Sequence, residues 1–433
     1  MDQFVIEGGV PLRGTVQVSG AKNAALPILA ATLLADGPCR LEGVPDLRDI
    51  RTMLRILEEL GVEAGREEDG TITTRVVDPT RVRAPYELVK TMRASICVLG
   101  PLLGRRRRAE VSFPGGCVIG PRPVDLHLTG LEALGARIVV EAGYIGAEGA
   151  DLHGGGELYL GGPFGPTVTG TANVLSAAVL APGTTIIQCA ACEPEIVDLA
   201  RFLVAMGARI EGIGSPTLVI HGVERLKGTN WKVIPDRIEA GTLACAAAMT
   251  GGDVVIEGLD TTAMTAPLTV LERMGVGLER REDGSLRVIG VGRPKPADVV
   301  TLPYPGFPTD LQAQFMALLC VADGNSFVTE KIYPERFIHV AELQRLGARI
   351  RKEGASAIVT GVPELTGAPV MASDLRASAA LVVAGLAARG TTTVERVYHI
   401  DRGYERIEEK LRGLGARIER CNPARTEAAA AGS

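Results

Sequence analysis

Residues 131–138 read LEALGARI, and this pattern decides the fold because it returns along the whole chain. Leucine, two variable residues, leucine or methionine, and glycine recur as LEELG ending at Gly61, LEALG at Gly135 and LVAMG at Gly207. The later copies are LERMG at Gly275, LQRLG at Gly347 and LRGLG at Gly415. The leucines fall at helical spacing, and the glycine suits the left-handed residue that ends a helix. Four of these copies continue as GARI into a short strand. A period of roughly 70 residues is too long for a solenoid and fits a small α/β subdomain. Six helix-to-strand junctions therefore predict six subdomains.

A second helix recurs once per copy: AKNAALPILAATLLA from Ala21, VKTMRASICVLGPLL from Val89, TGTANVLSAAVLA from Thr169, PDRIEAGTLACAAAM from Pro235, FPTDLQAQFMALLC from Phe307 and SDLRASAALVVAGLA from Ser373. These stretches are apolar on nearly every side, so each is expected to be buried all round, with strands and an outer helix wrapped about it. Their charged or polar residues gather at the first turn: Lys22 and Asn23, Arg93, Asp236 with Arg237, Asp310, and Asp374 with Arg376. Helix N-termini carry free N–H groups and a positive dipole, so a centre where such ends meet favours anions. Asp236 and Asp374 read equally well as caps. A lysine or arginine there opposes the dipole, and a bound anion is the expected compensation.

Composition narrows the functional classes. With 433 residues, 46% of them hydrophobic, the chain has enough apolar surface for two or three cored domains. Its longest apolar run, residues 24–35, is shorter than the roughly 20 residues a membrane helix needs. The start MDQFVIEGG lacks a signal-peptide layout, so a soluble, cytoplasmic protein is expected, with no membrane insertion. A net charge of −5 and 4% aromatic residues provide neither a basic footprint nor a stacking platform for nucleic acid. The exception, RRRR at 105–108, is expected to be a solvated turn. Cysteines 39, 97, 117, 189, 192, 245, 320 and 421 are too sparse for a disulfide scaffold and are expected to be reduced. CAAC at 189–192 has no second pair at zinc spacing, and no dinucleotide glycine fingerprint is present, so neither metal nor cofactor is expected. The low-complexity end from about 422 reads as a disordered tail.

One cysteine stands apart. Residues 114–127, PGGCVIGPRPVDLH, set Cys117 among Gly115, Gly116 and Gly120, with Pro121 and Pro123 stiffening the exit. This is the composition of a lid. An exposed thiol near Arg122 has the positive field that lowers a cysteine pKa below about 8.5. His127 either orients Arg122 or caps the following helix, while His339 and His399 read as packing residues.

The stretches SGAKNAALPILAATLL, TMRASI, GGCVIGPRPVDLH, EPEIVD, DRIEAGT, FPTDLQAQF, DLRASAALVVAG and HIDRGYERIE span residues 19 to 408. Together they closely resemble UDP-N-acetylglucosamine enolpyruvyl transferase, a family of the EPSP synthase-like superfamily. The resemblance implies transfer of the enolpyruvyl group of phosphoenolpyruvate to the 3′-hydroxyl of UDP-N-acetylglucosamine with release of phosphate, the first committed step of peptidoglycan precursor synthesis. It implies an α/β fold, a two-domain inside-out α/β barrel built from six repeated subdomains, three per domain, around buried helices. One domain would span 22–229 and carry the Cys117 loop, and the other would combine 1–21 with 230–433. Carried over by position, Cys117, Asp310, Lys22 and Arg402 would be catalytic, and Lys22, Asn23, Arg122 and Arg402 would bind phosphoenolpyruvate. Arg93, Arg122, Pro123, Val124, Asp125, Leu126, Thr167, Val168, Asp310 and Ile332 would bind the UDP-sugar. Arg336, Asp374 and Arg376 would be charged neighbours. The two substrates are the only partners implied, and no obligate protein partner is evident.

Two positions depart from the family pattern, Cys97 where a tryptophan often stands and Gly165 where some members have a lysine, and both concern the nucleotide pocket. Two alternatives remain: a different acceptor such as shikimate 3-phosphate, against which the GGC loop argues, and a non-catalytic sensor, which would need neither acid nor base. On this reading, phosphate release from phosphoenolpyruvate should require UDP-N-acetylglucosamine and survive excess EDTA. Release with shikimate 3-phosphate alone would refute the acceptor assignment.

Overall fold

A computed structural model describes residues 2–114 and 124–422. The expectations for Cys117, Arg122, Pro123 and the rest of 115–123, and for the tail from 423, lie outside the described residues.

Among the described residues, six four-stranded sheets share one plan. In the first copy the buried helix Lys22–Ala31 leads to strand Cys39–Glu42, the outer helix Arg48–Glu59 and the strands Val62–Arg66 and Ile72–Val76. Within the sheet, 39–42 pairs antiparallel with 72–76 and 72–76 with 62–66, while an edge strand lies parallel to 39–42. In copies two, three, five and six that edge strand precedes the buried helix, as Arg83–Ala84, Gly156–Tyr159, Val299–Val300 and Pro369–Met371. The other two copies borrow it. Asn230–Lys232 completes the first sheet, and Arg13–Gln17 completes the fourth by pairing parallel with Asp253–Glu257. Gln3–Glu7 is one of the two inner strands of the sixth sheet, between Thr391–Glu395 and Arg417–Cys421. Its side chains alternate, with Phe4 and Ile6 fully buried, because only one face of each sheet meets the core.

Residues 2–19 with 235–422 form one unit, and 20–114 with 124–234 another, each with its own apolar core. The second unit runs past residue 229 because Asn230–Lys232 belongs to its first sheet, and Ala21 N–H donates to the Ile234 carbonyl at 2.7 Å. The buried helices are enclosed as their composition requires: in Arg237–Met249 every residue after the first is buried. Two of them start more tightly than a uniform apolar run suggests, as 3₁₀ turns over Arg93–Val98 and Thr309–Leu311 before Leu99–Arg106 and Gln312–Leu319. Helix Leu99–Arg106 approaches Val168–Ala178 closely enough that a Cβ on Gly100 would lie 2.0 Å from the Asn173 carbonyl oxygen.

The arginine run is solvated only in part, at Arg105 and Arg108. Arg106 and Arg107 are half-buried, and they spend their guanidiniums on backbone carbonyls, Arg106 on Leu60 at 2.8 Å and on Arg81, Arg107 on Leu180 at 3.0 Å. Chain ends of helices leave such carbonyls unpaired, and a buried donor satisfies them. Burial pushes Arg106 down to about 10, still charged at neutral pH. The cysteines among the described residues are all free thiols. No helix among the described residues is long and apolar enough to cross a membrane.

All six repeat glycines adopt the left-handed conformation, with φ of 77° at Gly61, 87° at Gly135, 112° at Gly207, 87° at Gly275, 93° at Gly347 and 92° at Gly415. A side chain there costs about 1–2 kcal/mol in backbone strain. Gly275→Ala, with open space around its Cβ position, should lose about that much. Gly61→Ala should lose more, because its Cβ would sit 2.2 Å from the Asp78 carbonyl oxygen. Urea unfolding of the two variants gives the comparison, and equal losses would contradict it.

Candidate active site

In the 20–234 unit, Lys22 opens its buried helix and is itself only 8% exposed. Its ammonium reaches Asp49 Oδ2 at 3.1 Å, from the first turn of the outer helix of the same copy. A carboxylate of the protein thus stands beside the cation at this helix N-terminus. Asn23 follows on the exposed side. Arg93 begins the second copy's 3₁₀ turn.

His127 is neither a helix cap nor a surface group. It is buried between helices, where Asn173 Nδ2 donates to its Nδ1 at 2.9 Å and Thr169 Oγ1 lies 3.1 Å from its Nε2. The Asn173 amide is oriented by the Gly100 N–H donating to its Oδ1 at 2.8 Å and by its own donation to the Ile96 carbonyl at 3.0 Å. Nδ1 must therefore accept, which leaves the proton on Nε2, directed at Thr169. Burial, helped by the charge of Arg93, pushes His127 down to about 3. One helix further, Thr167 Oγ1 accepts from the Gly170 N–H at 3.2 Å and caps helix Val168–Ala178, while Val168 remains 38% exposed. Val124 is buried at the start of helix Asp125–Ala133, Asp125 is exposed and Leu126 half-buried. Cys97 is 3% exposed and pushed up to about 12 by burial, an inert packing thiol. Gly165, with φ 102°, pairs through Gly165–Pro166 with Gly161–Gly162 just ahead of Thr167.

In the other unit Asp310 lies in the 3₁₀ turn that starts the fifth copy's buried helix. Arg336 Nη1 approaches its Oδ1 at 2.9 Å and Arg376 Nη2 its Oδ2 at 2.8 Å. Both arginines are nearly fully buried, whereas 27% of the Asp310 side chain stays accessible. Burial by itself would raise the Asp310 carboxyl, but Arg376 and Arg336 outweigh it and hold it well below the usual carboxylate range. Asp236 and Asp374 are caps, each accepting two backbone N–H bonds through Oδ1. Arg376 lies over the Tyr404 ring at 5.4 Å, and Tyr404 OH, from the loop after the 3₁₀ segment Val397–Arg402, joins Thr242 and Gln314 of two buried helices at 2.8–3.1 Å. His339 stacks on Phe337, and burial pushes it down to about 4, so it packs as a neutral ring. His399 tilts against Tyr398 at 4.3 Å, and Arg402 ends the same 3₁₀ segment, half-buried. Among the described residues no group of three His, Cys, Asp or Glu side chains could hold a metal ion.

The profile of the EPSP synthase (3-phosphoshikimate 1-carboxyvinyltransferase) family matches residues 6–411. The chain belongs to the EPSP synthase family. Within it, the chain is 57% identical over 422 residues to the UDP-N-acetylglucosamine 1-carboxyvinyltransferase of Anaeromyxobacter sp. (strain Fw109-5), covering 97% of this chain and 99% of that protein. The protein of the same name from Nitratidesulfovibrio vulgaris (strain DP4) is 56% identical over 420 residues, with the same coverage. The enolpyruvyl transferase NikO from Streptomyces tendae superposes with a TM-score of 0.87 at 27% identity, over 97% of this chain and 99% of that one. EPSP synthase from Acinetobacter baumannii shares the fold, with a TM-score of 0.72 at 21% identity over 98% and 100% of the two chains. This EPSP synthase family member is therefore a transferase.

Sequence reasoning named Arg336 and Arg376 in this family member without a role, and their role is to grip Asp310. It missed Asp49, whose sole signal was an acidic residue in the first turn of the first outer helix, and it missed Glu330 and Thr309 beside the Asp310 turn. A pH test follows from His127. An unfolded histidine takes up a proton near pH 6.5, so stability tied to the neutral ring is complete above that pH and declines toward pH 3, by about 1.4 kcal/mol per unit. Asp198, pushed up to about 6 chiefly by burial, acts oppositely in the same unit, adding stability as pH falls from 6 toward 4. His127→Gln should abolish the first effect and leave the second, so its urea midpoint for the 20–234 unit should rise from pH 6 to 4 relative to the parent's. Parallel pH profiles would refute a buried neutral imidazole.

Proposed function

We propose that this transferase moves the enolpyruvyl group of phosphoenolpyruvate to the 3′-hydroxyl of UDP-N-acetylglucosamine and releases phosphate, the first committed step of peptidoglycan precursor synthesis. The observation that carries the reading is 57% identity over 97% of the chain to an enzyme of that name. The two units are the two domains, each contributing three copies. The same reading makes the protein a cytoplasmic enzyme that serves cell shape and division, with its two substrates as partners.

The chemistry is addition followed by elimination. Cys117 donates a proton to the methylene carbon of phosphoenolpyruvate, the sugar oxygen bonds to the adjacent carbon, and the hydroxyl proton passes to Asp310. A proton then returns from the methyl carbon to the Cys117 thiolate, the carbon–oxygen bond to phosphate breaks with its electron pair leaving on phosphate, and the double bond returns. Lys22, Asn23, Arg122 and Arg402 hold the phosphate and carboxylate, since an acidic protein must concentrate positive charge locally to bind such an anion. Asp49 orients the Lys22 ammonium for that task. Arg93, Arg122, Pro123, Val124, Asp125, Leu126, Thr167, Val168 and Ile332 hold the UDP-sugar.

A carboxylate gripped by two guanidiniums is a weak base, and the reaction tolerates this. The hydroxyl becomes acidic only as its oxygen bonds to a cationic carbon, so the proton moves late. Asp310→Asn should lower kcat by orders of magnitude while UDP-sugar binding stays measurable by calorimetry, because the carboxylate acts on the moving proton. Unchanged turnover would remove Asp310 from the mechanism. At the other end of the reaction, Cys117→Asp should retain far more activity than Cys117→Ala or Cys117→Ser, since a carboxylic acid donates a proton and a methyl group does not. Fosfomycin, an epoxide phosphonate, should alkylate the same thiol faster with the UDP-sugar present. Peptide mass spectrometry that places the adduct on another cysteine would overturn the assignment.

A further inference from the structure

We infer that Glu330 is a positioning residue for the sugar-hydroxyl proton transfer: one buried carboxylate sets Arg336 against Asp310 and also shapes the backbone turn that carries Ile332. The inference rests on the proposed function, which makes Asp310 the base and Ile332 a UDP-sugar contact.

Glu330 follows strand Asn325–Thr329 and is fully buried. Among the described residues its side chain meets four donors, none of them a cation. Oε1 accepts from Thr301 Oγ1 at 2.6 Å and from the N–H groups of Ile332 and Tyr333 at 2.9 Å each. Oε2 accepts from Thr309 Oγ1 at 2.9 Å. Thr309 Oγ1 in turn accepts from Arg336 Nη1 at 2.9 Å, the same nitrogen that lies 2.9 Å from Asp310 Oδ1. A guanidinium only donates, so the Thr309 hydrogen has one direction left, toward Glu330. The result is a polarised relay from Arg336 through Thr309 to Glu330 that fixes where Arg336 Nη1 stands.

The segments involved are separate in sequence. Thr301 and Thr309 bracket the loop that delivers Asp310, and residues 331–333 form the turn beyond the strand. A buried carboxylate with no counter-ion is a costly way to staple a loop, and an apolar contact or an amide would serve if stapling were all. Only an acceptor without hydrogens satisfies four converging donors and keeps the Thr309 hydrogen pointed away from Arg336. The Lys331 N–H donating to Thr301 Oγ1 at 2.9 Å binds the turn to the same knot. The residue that senses the sugar and the residue that takes its proton are therefore held in one register by one group.

The test measures phosphate release with each substrate varied in turn. In Glu330→Gln the amide must aim its own hydrogens at Thr309, so kcat should fall by about 10- to 100-fold. KM for UDP-N-acetylglucosamine should rise, while KM for phosphoenolpyruvate should stay at the parent value, since none of its binding residues touches Glu330. Thr309→Val cuts only the relay, so kcat should fall with both KM values unchanged, and Thr309→Ser, which restores the hydroxyl, should recover most of it. A Glu330→Gln enzyme with parent kinetics, a loss explained by a smaller folded fraction with both KM values intact, or a Thr309→Ser enzyme as impaired as Thr309→Val would each overturn the inference. Should Glu330→Gln fail to fold, the two Thr309 variants decide alone. Asp310→Ala in the same assay separates the two levels. If it is dead while Glu330→Gln and Thr309→Val behave as the parent, only this inference falls. If it turns over normally, the base assignment falls and takes the inference with it.

Discussion

A helix that is apolar on every side can exist only where other elements enclose it completely. No single copy of the repeat, with one four-stranded sheet and one outer helix, does this, so the buried helices must shield one another. The close approach of Gly100 to the Asn173 backbone, and the Thr242, Gln314 and Tyr404 bonds, show the helices in direct contact within each unit. Their sides then have no room for charge, and the ends become the one place where charged side chains are tolerated. Lys22, Arg93, Asp310 and Arg376 all lie at such ends, where the enclosing core leaves room for charge.

Charges at those ends are balanced by the protein itself. Lys22 has Asp49, Arg336 and Arg376 share Asp310, and the Glu239 carboxylate meets Lys410 at 2.6 Å. Asp236 and Asp374 cap the helices that carry Glu239 and Arg376. Pairing costs basicity, which is why Asp310 is depressed, and it fixes position, which proton transfer demands. His127 and His339 stay neutral through burial, so they add rigidity without adding charge.

The repeat was legible in the sequence wherever the signal is local. The six glycines announce their left-handed caps because leucine spacing and glycine sit within five residues of one another, and the buried helices announce themselves by an unbroken apolar run. Asp236 and Asp374 read as caps because a cap is set by the next three residues. What escaped is non-local. Asn230–Lys232, a three-residue strand reading NWK, carries no sign that it joins a sheet begun near residue 39. The arginine run looked solvated because its acceptors, the carbonyls of Leu60, Arg81 and Leu180, are remote in sequence. Glu330 is a lone acid in VTEKIYP, and its meaning comes from donors on three separate segments.

The borrowed strands bear on how the chain is made. Gln3–Glu7 and Arg13–Gln17 leave the ribosome early, yet the first of them pairs with Thr391–Glu395 and Arg417–Cys421, and Gln3 touches a residue 418 positions away. The 20–234 unit is a nearly continuous segment that collects all of its sheets long before synthesis ends. The other unit must wait: Arg13–Gln17 has no sheet partner until Asp253–Glu257 emerges, and Gln3–Glu7 has none until Thr391–Glu395. Contacts of such separation form slowly, because the loop entropy is lost before pairing returns anything. Assembly is therefore ordered by translation, with one half mature while the other is still an open set of strand edges.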